Sequence, residues 1–82
     1  MHYVYVLRST VNEKFYVGCT SDLRTRLLRH NQGDSEYTRK YMPWKLVYYE
    51  AYLSEKLART RERKLKHHGK GLSELKRRIL EG

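Results

Sequence analysis

Three features of the 82-residue sequence predict an α+β fold, a small three-stranded antiparallel sheet flanked by helices. Residues 2–8, 14–20 and 44–52 have the apolar, tyrosine- and valine-rich character of strands. The first two lie a hairpin's length apart. Segments rich in Arg and Lys, with apolar residues at helical spacing, follow the second and third strands. Strand, strand, helix, strand, helix, helix is an α+β order.

The first strand covers residues 2–8. Val4 and Val6 point one way, and Tyr3, Tyr5 and Leu7 the other. With both faces apolar, it is expected to be central and covered on both sides. The turn Thr10-Val11-Asn12-Glu13 follows, with Asn12 the expected left-handed residue. Residues 14–20 form the second strand. It alternates Phe15 and Val17 with Tyr16 and Gly18, and Gly18 would leave room above the backbone for a ligand.

Ser21 or Asp22 caps a helix running to about residue 31, ended by Gly33. Leu23 and Leu27 are its apolar stripe, with Arg26 and His30 one turn apart beside it. Arg24, Thr25 and Arg29 face solvent. Residues 34–43 read as a polar loop, and Pro43 leads into the third strand. There Leu46, Tyr48 and Glu50 alternate with Val47, Tyr49 and Ala51. Ser54 caps a helix over about 55–67, with Leu57, Ala58, Arg61 and Leu65 inward and Glu62 at the stripe's edge. Gly69 and Gly71 break the pattern before a short last helix carrying Leu72, Leu75, Ile79 and Leu80.

A chain of this length makes one domain, residues 1–82. Its core must be thin, and eight tyrosines supply much of the apolar mass. Eighteen Lys and Arg against nine Asp and Glu give a net charge of +9, which points to a polyanionic partner, most often nucleic acid. The single cysteine, Cys19, excludes an intrachain disulfide and a cysteine zinc cluster, and fits a reduced, cytoplasmic setting. On its strand it reads as a small apolar filler. No apolar run approaches a membrane span, so no membrane partner is expected.

Glu62 stands between Arg61 and Arg63 and turns toward the protein body. A partly buried carboxylate needs a partner. It is either the ion-pair partner of Arg26 or a ligand for one hard divalent cation, Mg²⁺ or Mn²⁺, which uses few carboxylates and keeps several waters. Arg26 offers a planar fork matched to phosphate oxygens. His30 is either a surface residue or a proton shuttle. His67 and His68 lack a metal-ligand spacing and read as exposed. The Lys- and Arg-rich stretch over 56–78, with Arg61, Lys64 and Lys66, reads as a phosphate-tracking surface. No sequence-reading motif accompanies it.

Tyr3-Val4-Tyr5, a ten-residue gap and Tyr16-Val17-Gly18, followed by Arg26, His30 and Glu62, resembles the signature of the GIY-YIG endonucleases. The resemblance covers nearly the whole chain. It is to a small stand-alone domain similar to the N-terminal nuclease domain of excinuclease C. It implies that Glu62 is the single protein ligand of the metal and that Arg26 stabilises charge on the scissile phosphate. It implies further that Tyr16 helps activate the attacking water, Tyr5 positions phosphate or nucleophile, and His30 hydrogen-bonds in the site. Two positions depart from the family. Cys19 stands where excinuclease-type domains place a lysine, and no late asparagine follows Glu62, since the only asparagines are Asn12 and Asn31.

The expectation is a divalent-metal-dependent DNA endonuclease, selective for branched, nicked or otherwise distorted structure rather than for sequence, with a role in DNA repair. RNA remains open as substrate, targeting would fall to DNA shape or a protein partner, and the oligomeric state is unspecified. The alternative is a nucleic-acid-binding module with weak or no cleavage.

Overall fold

Three antiparallel strands in the order β2-β1-β3 form the centre of the molecule in the computed structural model, which describes residues 1–67 and 69–81. The elements follow as β1 (His2–Ser9), β2 (Phe15–Thr20), α1 (Leu23–Gln32), α2 (Glu36–Arg39), β3 (Trp44–Tyr52), α3 (Glu55–His67) and α4 (Gly69–Glu81). β1 is the central strand. Val4, Val6, Tyr5 and Leu7 are all buried, so both faces of β1 are covered.

The period-two alternation of β1 divides the core. Val4 and Val6 join Val17, Ala58, Leu65 and Leu75 beneath α3 and α4. Tyr5 and Leu7 join Trp44 on the opposite face, with Tyr16, Tyr41, Leu46 and the α1 stripe of Leu23 and Leu27. The helix signals act as their chemistry dictates. Asp22 Oδ1 accepts the Thr25 backbone N–H at the start of α1, and Gly33 closes that helix at φ 82° in the left-handed region. Ser54 Oγ accepts the Leu57 N–H at the start of α3.

Several expectations are corrected. Asn12 is not left-handed, since no non-glycine residue among those described has positive φ. Its Oδ1 accepts the Lys14 N–H, and Ser9 Oγ accepts the Val11 and Asn12 N–H groups, so side chains satisfy the turn instead. The polar loop over 34–43 contains the short helix α2, whose Thr38 is fully buried. β3 does not alternate throughout. A register shift against Val6 and Leu7 pairs Leu7 with Leu46 but Val6 with Tyr48. Leu46 therefore packs on the aromatic face, and Val47 and Tyr48 both pack on the aliphatic one. Leu57 is 57% exposed rather than inward. α3 ends at His67 and α4 opens at Gly69, where the sequence places the break, with Gly71 inside α4, and Leu80 faces solvent. His67 is exposed, as expected, while His68 lies outside the described residues.

Arg61 points inward, as its spacing requires, and its purpose there is a clamp. Its guanidinium donates to both Glu50 oxygens, Nε to Oε1 at 3.0 Å and Nη2 to Oε2 at 3.1 Å. The hydroxyls of Tyr48 and Tyr52 donate to the same carboxylate. Burial opposes ionisation of Glu50, but these hydrogen bonds outweigh it and hold the carboxyl below its usual range. The clamp ties α3 to β3 on the aliphatic face.

Candidate active site

Tyr5 is the hub of the aromatic face. It is 1% exposed, lies directly across from Gly18 on β2, and its hydroxyl is 3.0 Å from His30 Nε2. A Cβ on Gly18 would overlap the Tyr5 hydroxyl and ring. The missing side chain at position 18 thus makes space for this phenol, and the space expected for a ligand is filled from within the fold. Gly18 is itself buried, which removes it from direct contact with a nucleic acid.

His30 is buried, not a surface residue. Its Nδ1 lies 3.0 Å from Thr38 Oγ1, and the Thr38 hydroxyl donates to the Ser35 carbonyl. With that proton so engaged, Thr38 Oγ1 accepts from Nδ1–H, and Nε2 accepts from the Tyr5 hydroxyl. A neutral imidazole fits this chain. Burial pushes the His30 pKa down, and the nearby Arg26 charge pushes it the same way. Tyr5 moves the opposite way to the one a general base needs. Burial, helped by Tyr16, raises its pKa, and the Arg26 guanidinium only partly offsets this.

Tyr16 is more open. Its ring meets His30 edge-on at 4.9 Å and Tyr5 at 6.3 Å between centroids. Tyr16, Arg26, Arg29, His30, Asp34 and Ser35 line a cavity of about 210 Å³. Arg26 also borders a second, smaller polar cavity, of about 140 Å³, with Thr20, Ser21 and Arg59. A larger groove, about 340 Å³, lies between β3 and α4 and contains none of these residues.

Glu62 comes from the other side of the sheet. α3 packs on the aliphatic face and against β2, the strand that carries Tyr16. The Glu62 charge acts on Tyr5 and Cys19. Its ion pair is with Lys66, at 3.1 Å, and not with Arg26. Lys66 Nζ also sits 5.7 Å from the centre of the Tyr16 ring. Tyr16, Arg26 and His30 therefore share one cavity, Tyr5 lies buried behind it against His30 and Tyr16, and Glu62 connects to Tyr16 through Lys66.

No group of three or more His, Cys, Asp or Glu side chains that could hold a metal gathers among the described residues. The donor set suits only a hard cation that keeps most of its own water. Glu62 fits that requirement: its carboxylate is partly open, its side chain 19% exposed, and Lys66 shows that a cation can sit against it. Of the residues expected on a phosphate-tracking surface, Lys64 is exposed on α3 and Lys66 reaches the candidate site. Arg61 is turned away by its clamp to Glu50.

Thr38, Asn31 and Trp44 escaped the sequence. Asn31 spans the Trp44 backbone with both amide atoms, Oδ1 accepting its N–H and Nδ2 donating to its carbonyl. The Trp44 indole N–H donates to the Thr38 carbonyl. Together they fix α2 under His30. Ser35 followed by Glu36 is a helix-start signal that would have revealed α2. Nothing in the sequence marks Thr38 as the partner of His30.

Comparison with known proteins agrees with this architecture. A UPF0213 protein of Clostridium perfringens is 41% identical over 63 residues, covering 76% of this chain and 67% of that one. One from Streptococcus pyogenes serotype M3 is 43% identical over 61 residues, covering 73% and 65%. The chain thus spans about two thirds of the length of these relatives. The solution NMR structure of a UPF0213 protein from Bacillus halodurans superposes with a TM-score of 0.54 at 34% identity, over 92% of this chain and 84% of that one. The model of the GIY-YIG catalytic domain matches residues 1–78, and on that match the chain belongs to the GIY-YIG family, a family of nucleases.

Proposed function

We propose that the protein is a divalent-metal-dependent endonuclease that hydrolyses phosphodiester bonds in DNA and selects structure rather than sequence. The observation that carries this is the cavity shared by Tyr16, Arg26 and His30, with Tyr5 bonded to His30 behind it and Glu62 reaching Tyr16 through Lys66. The +9 charge supports a polyanionic substrate.

In this mechanism Arg26 holds non-bridging oxygens of the scissile phosphate and offsets the charge that develops there. Tyr16, whose ring borders the open cavity, orients the attacking water by accepting its hydrogen bond, and the proton that the water loses passes to solvent. The water oxygen forms the new P–O bond as the bond to the leaving oxygen breaks. Tyr5, buried and donating to His30, stays a neutral phenol and helps hold His30 and Tyr16 in place. His30 is a brace for Tyr5 rather than a shuttle to solvent, because both ring nitrogens are engaged. Glu62 would hold one Mg²⁺ or Mn²⁺, which when bound supplies Lewis-acid stabilisation of the phosphate and leaving group.

Glu62→Gln tests the reading, since it removes the charge and keeps the shape. Cleavage of a panel of nicked, branched and single-stranded DNA and RNA in Mg²⁺ is expected to fall to background, with DNA affinity retained or tightened. A stable Glu62→Gln protein that cuts at the wild-type rate would rule out the metal role. Wild-type protein that binds the panel without cutting any member in Mg²⁺ or Mn²⁺ would instead identify a binding module.

A further inference from the structure

We propose that Lys66 is a working residue of the site: its ammonium occupies the cation position at Glu62 when the site is empty and moves onto the phosphate when a metal arrives. The inference rests on the metal role given above to Glu62. Three observations carry it.

The first is the pairing itself. Lys66 Nζ is 3.1 Å from Glu62 Oε2, with 42% of the Lys66 side chain and 19% of the Glu62 side chain exposed. An i,i+4 pair on a helix surface is ordinary. This one is not confined to its own helix. Lys66 Nζ also lies 5.7 Å from the centre of the Tyr16 ring, on β2, within the range in which a cation is held by an aromatic face. The ammonium thus lies between the Glu62 carboxylate and the ring of Tyr16, which lines the Arg26 cavity.

The second is the chemistry of exchange. A carboxylate that holds an ammonium cannot give the same oxygen to a divalent ion without releasing it. The released ammonium carries three donors on a flexible stem and stays anchored at Tyr16. Tyr16 also lines the Arg26 cavity, so on this proposal the ammonium passes to a phosphate bound there, and metal entry and phosphate neutralisation are one event.

The third is what stands beside the motif glycine. Cys19 follows Gly18 and brings no charge. Arg26 and Arg29 line the cavity from α1, and Lys66 is the cation that reaches the Tyr16 ring from α3. It supplies positive charge from a helix that the strand position does not.

Lys66→Met keeps the aliphatic stem against Tyr16 and removes the ammonium. Two measurements on wild type, Lys66→Met and Glu62→Gln separate the outcomes. The first is Mn²⁺ binding to DNA-free protein, followed by loss of the electron paramagnetic resonance signal of the free ion. The second is single-turnover cleavage at saturating Mn²⁺. Lys66→Met is expected to bind Mn²⁺ roughly three- to ten-fold more tightly, because its competitor is gone. It is also expected to cleave roughly ten- to a hundred-fold more slowly at saturating DNA. Lys66→Arg should recover part of the rate. A merely structural ion pair would not produce opposite changes in ion affinity and rate. If Glu62→Gln loses Mn²⁺ while wild type and Lys66→Met bind it equally, the exchange is overturned and the metal role of Glu62 stands. If all three bind Mn²⁺ alike, the metal role fails, and the exchange with it.

Discussion

The two faces of the sheet are built on different principles. The aliphatic face, Val4, Val6 and Val17 against Ala58, Leu65 and Leu75, is held by burial of hydrocarbon. The polar group set into it, the Glu50 carboxylate, is saturated by Arg61, Tyr48 and Tyr52. The aromatic face is held by hydrogen bonds in series, from Tyr5 to His30 to Thr38 to the Ser35 carbonyl, with the Trp44 indole closing on the Thr38 carbonyl. Non-directional packing tolerates small shifts but sets most of the stability. A hydrogen-bonded chain sets positions, and it fails when one member moves. The candidate chemistry sits on the second face, anchored to the first through α3, which carries Arg61 inward and Glu62 and Lys66 to the site.

The largest expected effect is on the aliphatic face. Leu65 is 1% exposed, so Leu65→Ala should cost about 2–5 kcal/mol of stability. Because Leu65 packs within the aliphatic cluster, away from the Tyr16–Arg26 cavity, activity per folded molecule should stay near wild type. Chemical denaturation and active-site-normalised cleavage, measured together, check this. A stable Leu65→Ala protein with lost cleavage would break the division between the faces.

Gly18→Ala sharpens it from the other side. The added methyl must displace Tyr5, a buried ring already tied to His30, and overpacking of this kind costs about 1–3 kcal/mol. The stability loss should be smaller than for Leu65→Ala, and the loss of cleavage much larger, since Tyr5 backs His30 and Tyr16, which line the cavity. A Gly18→Ala variant that melts early yet cleaves normally once folded would show that the Tyr5 position is not needed.

The aliphatic face was largely legible in the sequence, and the aromatic one only in part. Alternation at Val4, Tyr5, Val6 and Leu7 assigned β1 to both cores, because period two is a property of the strand itself. Asp22, Gly33 and Ser54 announced the helix ends, because capping is local. The bulge opposite Val6 and Leu7 was not legible, since it depends on how two distant strands register, and it reversed the face assigned to Leu46 relative to Tyr48. Arg61 looked like a phosphate ligand because its partner, Glu50, lies eleven residues away on another element. Gly18 was correctly singled out as a place needing space, but which group fills it is a tertiary fact. The same holds for Lys66, whose charge was visible and whose contact with Tyr16 was not.

The smallest expected effect is a pH dependence that belongs to the aromatic face alone. Burial, and then the Arg26 charge, hold the His30 pKa below its ordinary value of 6.5. The unfolded chain therefore binds a proton in a range where the folded chain does not, and stability rises with pH across that range. The contribution is fully present above about pH 6.5 and is lost as pH falls below it toward the folded value. The charged and titratable groups around the imidazole are Arg26 and Arg29 from its own helix, Tyr5 from β1, Tyr16 from β2 and Asp34 beyond Gly33. Protonation would also force the Tyr5 hydroxyl to stop donating to Nε2. Lowering the pH from 7.5 to 5.5 should thus reduce the midpoint of thermal unfolding by on the order of a few degrees. His30→Gln, with nothing to titrate at that position, should show a flatter profile in the same window, whatever its overall stability. The saturated Glu50 clamp on the other face keeps its charge until more acidic pH, because its carboxyl is held below the usual 4.5. A wild-type midpoint unchanged between pH 7.5 and 5.5 would mean that His30 is not held neutral, and the Tyr5–His30–Thr38 chain would lose its role as the positioning element of the aromatic face.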